Sequence, residues 1–508
     1  MTFIRINLLK IEPLQWLKIA IIGSLFIRLA VAYWLPLTGD EAYFITWGKN
    51  PDYGYYDHPA MVGWFLSLML AISDAVVWLR LPGILMFTFM GMVIYQILKD
   101  VDEDKAAYAA ILFLLAPINL LSVLITTDTP LILWSFISAF YFYKAQRDDS
   151  LKKYLLVGLF LGLAFYSKFF AGLLGLAYFF YIALFIRLQR GIKPYIGIAV
   201  ILLGASPFIV LNLVWNYNNC WNNYLFNLLN RTTDAHFSFS TLGIYFGLLA
   251  YLITPPILWY SFKQPLGKYL KLLKAPLGVF LGLFILPMFL FLMLAFVKKI
   301  GLHWLLSFYP FLFISIGSMF SHKQLINSLK FVIPFSLLHL AVLAFILISA
   351  PGLFEKNENT YKDILYGIQN DVILDKLSAY RDDYVFATDS YIESALLSYT
   401  SRKHVIVLGH GSYHAREDDK RTDFKLLQDK NIILISYTKN LDYLNEFFES
   451  VEIKPLEIEK ATFYYALGRG FNYLKYRESI IQNTLERYYS IPEWLPTGQC
   501  YMHDMYKK

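Results

Sequence analysis

The sequence predicts an all-α polytopic membrane protein that ends in a small α/β domain outside the cytoplasm, and three observations lead there. Of the 508 residues, 57% are hydrophobic and only 16% charged, with a mean hydropathy of +0.46, well beyond what a soluble chain carries. The apolar residues come in blocks of about 20, the length at which a helix crosses a hydrocarbon core of roughly 30 Å. From Gly352 onward the pattern changes to short β-rich runs separated by helix-like stretches. The expected organisation is a transmembrane domain over 1–350, with about 11–13 helices, followed by a soluble domain over 351–508.

Arg5 and Lys10 precede the first apolar block, Trp16 to Pro36. That block is too long for the core of a signal peptide and has no small-residue cleavage site behind it, so it reads as a retained span. Further candidate spans are Leu81 to Leu98, Ala106 to Ile125, Pro130 to Tyr143, Tyr154 to Tyr166, Phe169 to Ile186, Tyr195 to Trp215, Thr241 to Ser261, Pro276 to Val297, Leu302 to Phe320 and Phe331 to Ala350. With a cytoplasmic N-terminus, the loops Lys99 to Lys105, Lys144 to Lys153, Arg187 to Lys193, Lys263 to Lys274 and Ser321 to Lys330 lie inside. They collect most of the Lys and Arg outside the C-terminal region, the asymmetry that orients helical membrane proteins. Orientation therefore accounts for the net charge of +7, and no nucleic-acid partner is expected. The outer loops hold Lys49, Lys168, Arg231, Lys298 and Lys299.

The first outer loop, 37–80, contains Ala60 to Trp78, which is apolar but broken by Gly63, Ser67, Ser73 and Asp74. A helix lying along the interface fits it better than a span, because a span there would invert every later loop. Leu81-Pro82 then opens the next span, with Pro in the first turn where its missing N–H costs least. Tyr154 to Ile186 is too long for one helix and has Lys168 at its middle; an ammonium at mid-bilayer costs at least about 2.5 kcal/mol, so a break at Lys168 is expected. Asn216 to Ser240, Asn-rich and aromatic, reads as the wall of a polar cavity. In the C-terminal region strands are expected at Tyr384 to Ala387, His404 to Leu408, Asn431 to Tyr437 and Ala461 to Leu467, and helices at Ile392 to Tyr399 and Leu441 to Glu449. Cys220 and Cys500 both fall outside; a single bridge and two separate thiols are both compatible with the sequence.

The stretch Gly39 to Trp64 concentrates chemistry. It puts Asp40, Glu41, Asp52, Asp57 and His58 among aromatic residues just past the first span, where carboxylates can meet a lipid-borne substrate. Topology marking by Asp40-Glu41, and a simple hydrogen-bonded pair at Asp57-His58, are the plain structural alternatives. Asp128, in Thr126-Thr127-Asp128-Thr129-Pro130, is either a helix cap or a second active carboxylate. Lys168, Arg231, His303 and Lys298-Lys299 are outer cations that could neutralise a phosphate, each also suited to anchoring lipid headgroups. Arg28, inside the first span, is expected to snorkel or to pair. No GxGxxG, Walker loop, HExxH or CxxC pair occurs, which disfavours nucleotide-driven transport and zinc hydrolysis.

At Gly39-Asp40-Glu41, Tyr55-Tyr56-Asp57-His58-Pro59, Thr127-Asp128-Thr129-Pro130, Gly162 to Lys168 and Trp215-Asn216, over residues 15–350, the chain resembles the GT-C membrane glycosyltransferases. The superfamily includes protein O-mannosyltransferases and the lipid A aminoarabinose transferases. The resemblance implies a polyprenyl-phosphate sugar donor, a lipid, glycan or protein acceptor, no obligatory metal or other cofactor, and a monomer in the bacterial inner membrane with its site on the periplasmic side. It assigns Asp40 the catalytic carboxylate of the first outer loop, with Glu41 beside it, and Asp128 the second acidic position near the sugar. Tyr55 matches an aromatic position near the lipid phosphate, with Asp57 in the same motif. His58 falls where the lipid A enzymes have a phosphate-binding Lys and the protein mannosyltransferases a His-Pro pair. His303, after Lys299, takes the place of a phosphate-contacting Tyr, and Arg231 matches a phosphate-binding Arg; Lys168, as an outer cation, is expected to join them at the phosphate. A transporter or flippase for a lipid-linked or anionic solute is the alternative from another class, although its binding site would be expected near the bilayer midplane. A scaffold presenting the C-terminal domain would leave the loop motifs unexplained.

Overall fold

The structure, a computed structural model, describes residues 12–186, 193–227, 237–409 and 416–506. It divides into two compact units. One comprises Met1–Trp34, Ser73–Val210 and Ala235–Leu343; the other comprises Leu35–Ile72, Leu211–Asp234 and Ala344–Lys508. The unit that holds the C-terminal residues thus also takes in most of the first outer loop and the Asn-rich segment.

The first unit is helical. Five described helices are long and apolar enough to cross a membrane by length and composition: Pro13–Trp34, Val76–Leu98, Lys193–Tyr217, Gly278–Ala295 and His322–Ser349. The bent pair Phe239–Ile253 and Pro255–Phe262 raises the number to up to 6. The other apolar blocks are helical too but are shorter or, in the helix Asp128–Asp148, more polar. In the block Ala106 to Ile125, Ala116 turns extended (ψ 135°) ahead of Pro117, which splits it into Glu103–Leu115 and Pro117–Leu121. The expected break at Lys168 is present: one helix ends at Phe165 and the next begins at Ala171.

Close packing in this unit uses small residues. A side chain on Gly158 would stand 2.1 Å from the Ile201 carbonyl oxygen, so the helices Leu151–Phe165 and Lys193–Tyr217 touch backbone to backbone. Polar groups inside are bonded across helices. Arg28 is buried and pairs rather than snorkels, donating to Thr88 Oγ1 at 2.6 Å. Arg80 donates to the Ala32 carbonyl at 2.7 Å, satisfying one of the orphan acceptors at that helix end.

The second unit is built on a five-stranded sheet of order β2-β1-β3-β5-β4: β1 Val385–Thr388, β2 Ile406–Val407, β3 Ile432–Ser436, β4 Phe448–Ile458 and β5 Ala461–Phe471. β1 pairs parallel with β2 and β3, and the helix Tyr391–Ser401 makes the β1-to-β2 crossover. β5 is antiparallel to both β3 and β4. Four of the strands fall on the expected runs. The expected helix at Leu441 to Glu449 is instead a short 3-10 turn, Asp442–Glu446, that leads into β4. β4 alternates polar and apolar residues and carries Pro455, features an edge strand tolerates.

Candidate functional site

In the second unit, Thr38 starts the helix Gly39–Lys49 with a reciprocal cap. Thr38 Oγ1 accepts from the Glu41 N–H at 3.3 Å, and the Thr38 N–H donates to Glu41 Oε2 at 3.2 Å. Glu41 is fully buried, and one oxygen of its carboxylate serves the helix end. Asp40 is exposed in the first turn. Its carboxyl is raised above the usual range, mainly by desolvation; the Arg416 charge pulls it down and Glu41 pushes it up.

The rest of the loop folds onto that helix. Tyr55 stacks on Trp47 at 4.3 Å and 11°, and its hydroxyl donates to the Trp47 carbonyl at 3.0 Å. Glycine is required at two points: a side chain on Gly54 would meet the Trp215 ring at 2.5 Å, and one on Gly63 would meet the Tyr55 hydroxyl at 2.3 Å. Tyr55 is therefore fully buried between that helix and the segment that follows it. Asn223 and Asn227 donate to the carbonyls of Tyr55 and Asp57, both at 2.8 Å, so the Asn-rich segment clamps this loop. Cys220 and Cys500 are joined in a disulfide across 280 residues, which decides between the two readings left open by the sequence. Cys220→Ala should cost about 2–5 kcal/mol of stability, measurable as a lower unfolding temperature; the wild type should shift its mobility on non-reducing electrophoresis when reduced.

Three residues here were missed by sequence reasoning. Arg416 lies over the rings of Phe226 and Tyr391, at 4.8 and 5.0 Å, and its guanidinium is held ionised by Asp57 and the surrounding phenols against a desolvation cost. Glu417 accepts from the Tyr56 N–H at 3.0 Å and is pushed up to about 8 by burial, with Lys420 acting in the opposite sense. Lys420 pairs with Asp52 at 2.6 Å and donates to Asn219 at 3.1 Å. His58 is half-buried near Trp47, and its carbonyl accepts from the Tyr55 N–H at 3.0 Å.

In the first unit, Lys168 Nζ donates to both oxygens of Asp128, at 2.9 and 3.0 Å; the side chains are only 9% and 14% exposed. Capping therefore does not account for Asp128: Thr127 occupies the cap position of the helix Asp128–Asp148, and the carboxylate reaches 40 residues along the chain. Lys168 also stands over the Phe170 ring at 5.6 Å, Phe170 packs on Trp304 at 4.7 Å, and Trp304 adjoins His303. The structure thus gathers Asp128, Lys168 and the His303 turn into one neighbourhood. His303 and Lys299 are exposed, and Arg231 lies outside the described residues. Among the described residues no group of three or more His, Cys, Asp or Glu is arranged to hold a metal ion.

Comparison with known proteins agrees with this architecture. Residues 57–211 match the family model for dolichyl-phosphate-mannose-protein mannosyltransferase. The lipid A galacturonosyltransferase RgtD of Rhizobium johnstonii is 26% identical over 247 residues, 45% of this chain; the match spans about half, 50%, of that relative's length. The crystal structure of ArnT from Cupriavidus metallidurans bound to undecaprenyl phosphate superposes with a TM-score of 0.61 at 13% identity, covering 89% of this chain and 98% of ArnT. The apo structure of ArnT gives 0.60. The chain thus has the fold of ArnT, and part of it is similar in sequence to membrane glycosyltransferases.

Proposed function

We propose that the chain is an inverting glycosyltransferase that moves a sugar from a polyprenyl-phosphate donor to a hydroxyl of a lipid A-like or other envelope acceptor, on the periplasmic face of the inner membrane. The observation that carries the reading is Asp40: a carboxylate exposed at a helix end while its neighbour Glu41 serves the cap, in a chain with the ArnT fold. Asp40 takes the acceptor's hydroxyl proton as that oxygen attacks the anomeric carbon, and the bond to the phosphate breaks on the opposite face. The electron pair leaves with polyprenyl phosphate. Cations stabilise that leaving group: the family resemblance puts forward His58, His303 and Arg231, and Lys168 and Lys299 are the outer cations of the sequence that join them. Two of the three donors on the Lys168 ammonium go to Asp128, which aims the third. The Cys220–Cys500 disulfide supports an oxidising compartment for its unit, as the periplasm provides.

Mass spectrometry of envelope lipids and glycans from cells with and without the gene tests this directly. One glycosyl residue should disappear from an envelope acceptor when the gene is removed, and an unchanged profile would contradict the reading. No metal is required on this account, so activity should survive EDTA. Asp40 works only when ionised and its carboxyl is raised, so activity should fall with decreasing pH through a midpoint above the free carboxylate value of about 4. A flat pH–rate profile between about 4 and 7 would remove Asp40 as the base.

A further inference from the structure

The unit that holds the sheet contains a cavity of about 1090 Å³, walled by the segment Leu35 to Gly39, the helices Glu358–Ile368 and Tyr391–Ser401, and the residues just past β3. Its size suits one or two sugar rings. Asp363, Asp389 and Glu393 line it with Asn359, Tyr437 and Asn440, and among the described residues its lining contains no Lys, Arg or His. Such a lining offers no described cation to neutralise a phosphate or carboxylate ligand.

One polar atom in this wall points to an absent partner. Glu393 Oε2 is buried and receives no N–H or hydroxyl donor among the described residues, the carboxyl's neighbour being the Asp389 carboxyl, with which it shares a hydrogen bond. Burial, reinforced by Asp389 and Asp363, holds this carboxyl well above its usual range. Asp389 is itself raised by burial and accepts from Ser436 Oγ at 2.8 Å. The pair puts two carboxyls side by side in this wall. The fully buried hydroxyl of Tyr366, near enough to sense both carboxyls, also has no hydrogen-bond partner among the described residues.

Carboxyls, amides and a phenol around an apolar floor of Leu35, Ile364 and Ile392 match a sugar ring, which presents hydroxyls at its rim and C–H groups on its faces. Thr38 and Gly39 form part of the wall, and the next residue is Asp40. We propose that this cavity holds a neutral, hydroxyl-rich ring of the acceptor, beside the helix end that carries Asp40. The proposal rests on the transferase reading and adds what the acceptor must present: a ring without negative charge, distinct from the hydroxyl that reacts. Binding energy gained there positions the reacting hydroxyl.

Gly367 supplies the test. It lines the cavity, and a Cβ added there meets no atom within 4 Å, so the position accepts a side chain at its root and Gly367→Phe adds bulk to the cavity wall. Saturation-transfer NMR on the full chain in detergent, with methyl glucoside, galactoside and mannoside as probes, should show binding in the wild type and in Gly367→Ala and its loss in Gly367→Phe. The same variant should raise the acceptor KM at least about tenfold with the donor KM unchanged. Glycoside signals no stronger in the wild type than in Gly367→Phe, an unaltered acceptor KM, or binding of ethanolamine in place of the glycosides would each overturn the subsite. Glycoside binding is read without turnover. A chain that transfers sugar but ignores glycosides overturns this subsite alone, and one that binds glycosides but transfers nothing overturns the transferase reading.

Discussion

Asp40→Asn leaves the protein folded in the membrane and lowers the turnover of sugar transfer by at least about 10²-fold, the usual contribution of a positioned general base. The exposed carboxylate makes no contribution to the cap, which Thr38 and Glu41 form between them, so the substitution is nearly isosteric and structurally mild. Glu41→Gln distinguishes the two neighbours: it keeps an acceptor for Thr38 and should retain most of the activity. Thermal unfolding and single-turnover transfer, measured on the same preparations, separate loss of fold from loss of chemistry. Asp40→Asn with near-normal turnover would take this residue out of the mechanism.

The second large effect concerns Asp128 and Lys168. Their ion pair is largely shielded from solvent, so removing one partner strands a charge. Lys168→Met or Asp128→Asn alone should each cost about 3–5 kcal/mol, and the double substitution should recover most of that loss. A double-mutant cycle on unfolding temperature or denaturant midpoint should give a coupling above about 1 kcal/mol, whereas additivity within about 0.5 kcal/mol would show that the pair does not act as a unit. The double variant should remain folded yet lose affinity for the polyprenyl-phosphate sugar. Stability restored together with full donor affinity would leave the pair purely structural.

Much of the fold follows from local rules visible in the chain. A charge at Lys168 inside a long apolar block forces a break, Pro82 and Pro117 open helices, and β-rich runs flanked by polar residues become β1, β2, β3 and β5. β4 escaped because its alternation is diluted by charge on an edge where one face stays wet. The capping role of Glu41 was legible in Thr38-x-x-Glu41, the signature of a reciprocal cap, and was outweighed by its adjacency to Asp40. The burial of Tyr55 was not legible, since it depends on Trp47, Gly63 and Asn223 meeting in space. Arg416, Glu417 and Lys420 belong to the charged run Arg416 to Arg421, which by composition reads as a solvated surface. Only the fold brings that run, over 350 residues along the chain, to Tyr56 and Asp52.

The central claim is glycosyl transfer from a lipid carrier, and one reconstitution addresses it. Purified chain in proteoliposomes, supplied with polyprenyl-phosphate sugar and lipid A, is followed by mass spectrometry of both lipids. The account predicts an acceptor heavier by one glycosyl residue and an equal yield of free polyprenyl phosphate, both missing with Asp40→Asn. An unmodified acceptor beside intact donor, or movement of the lipid-linked sugar across the bilayer without any new covalent bond, would contradict it.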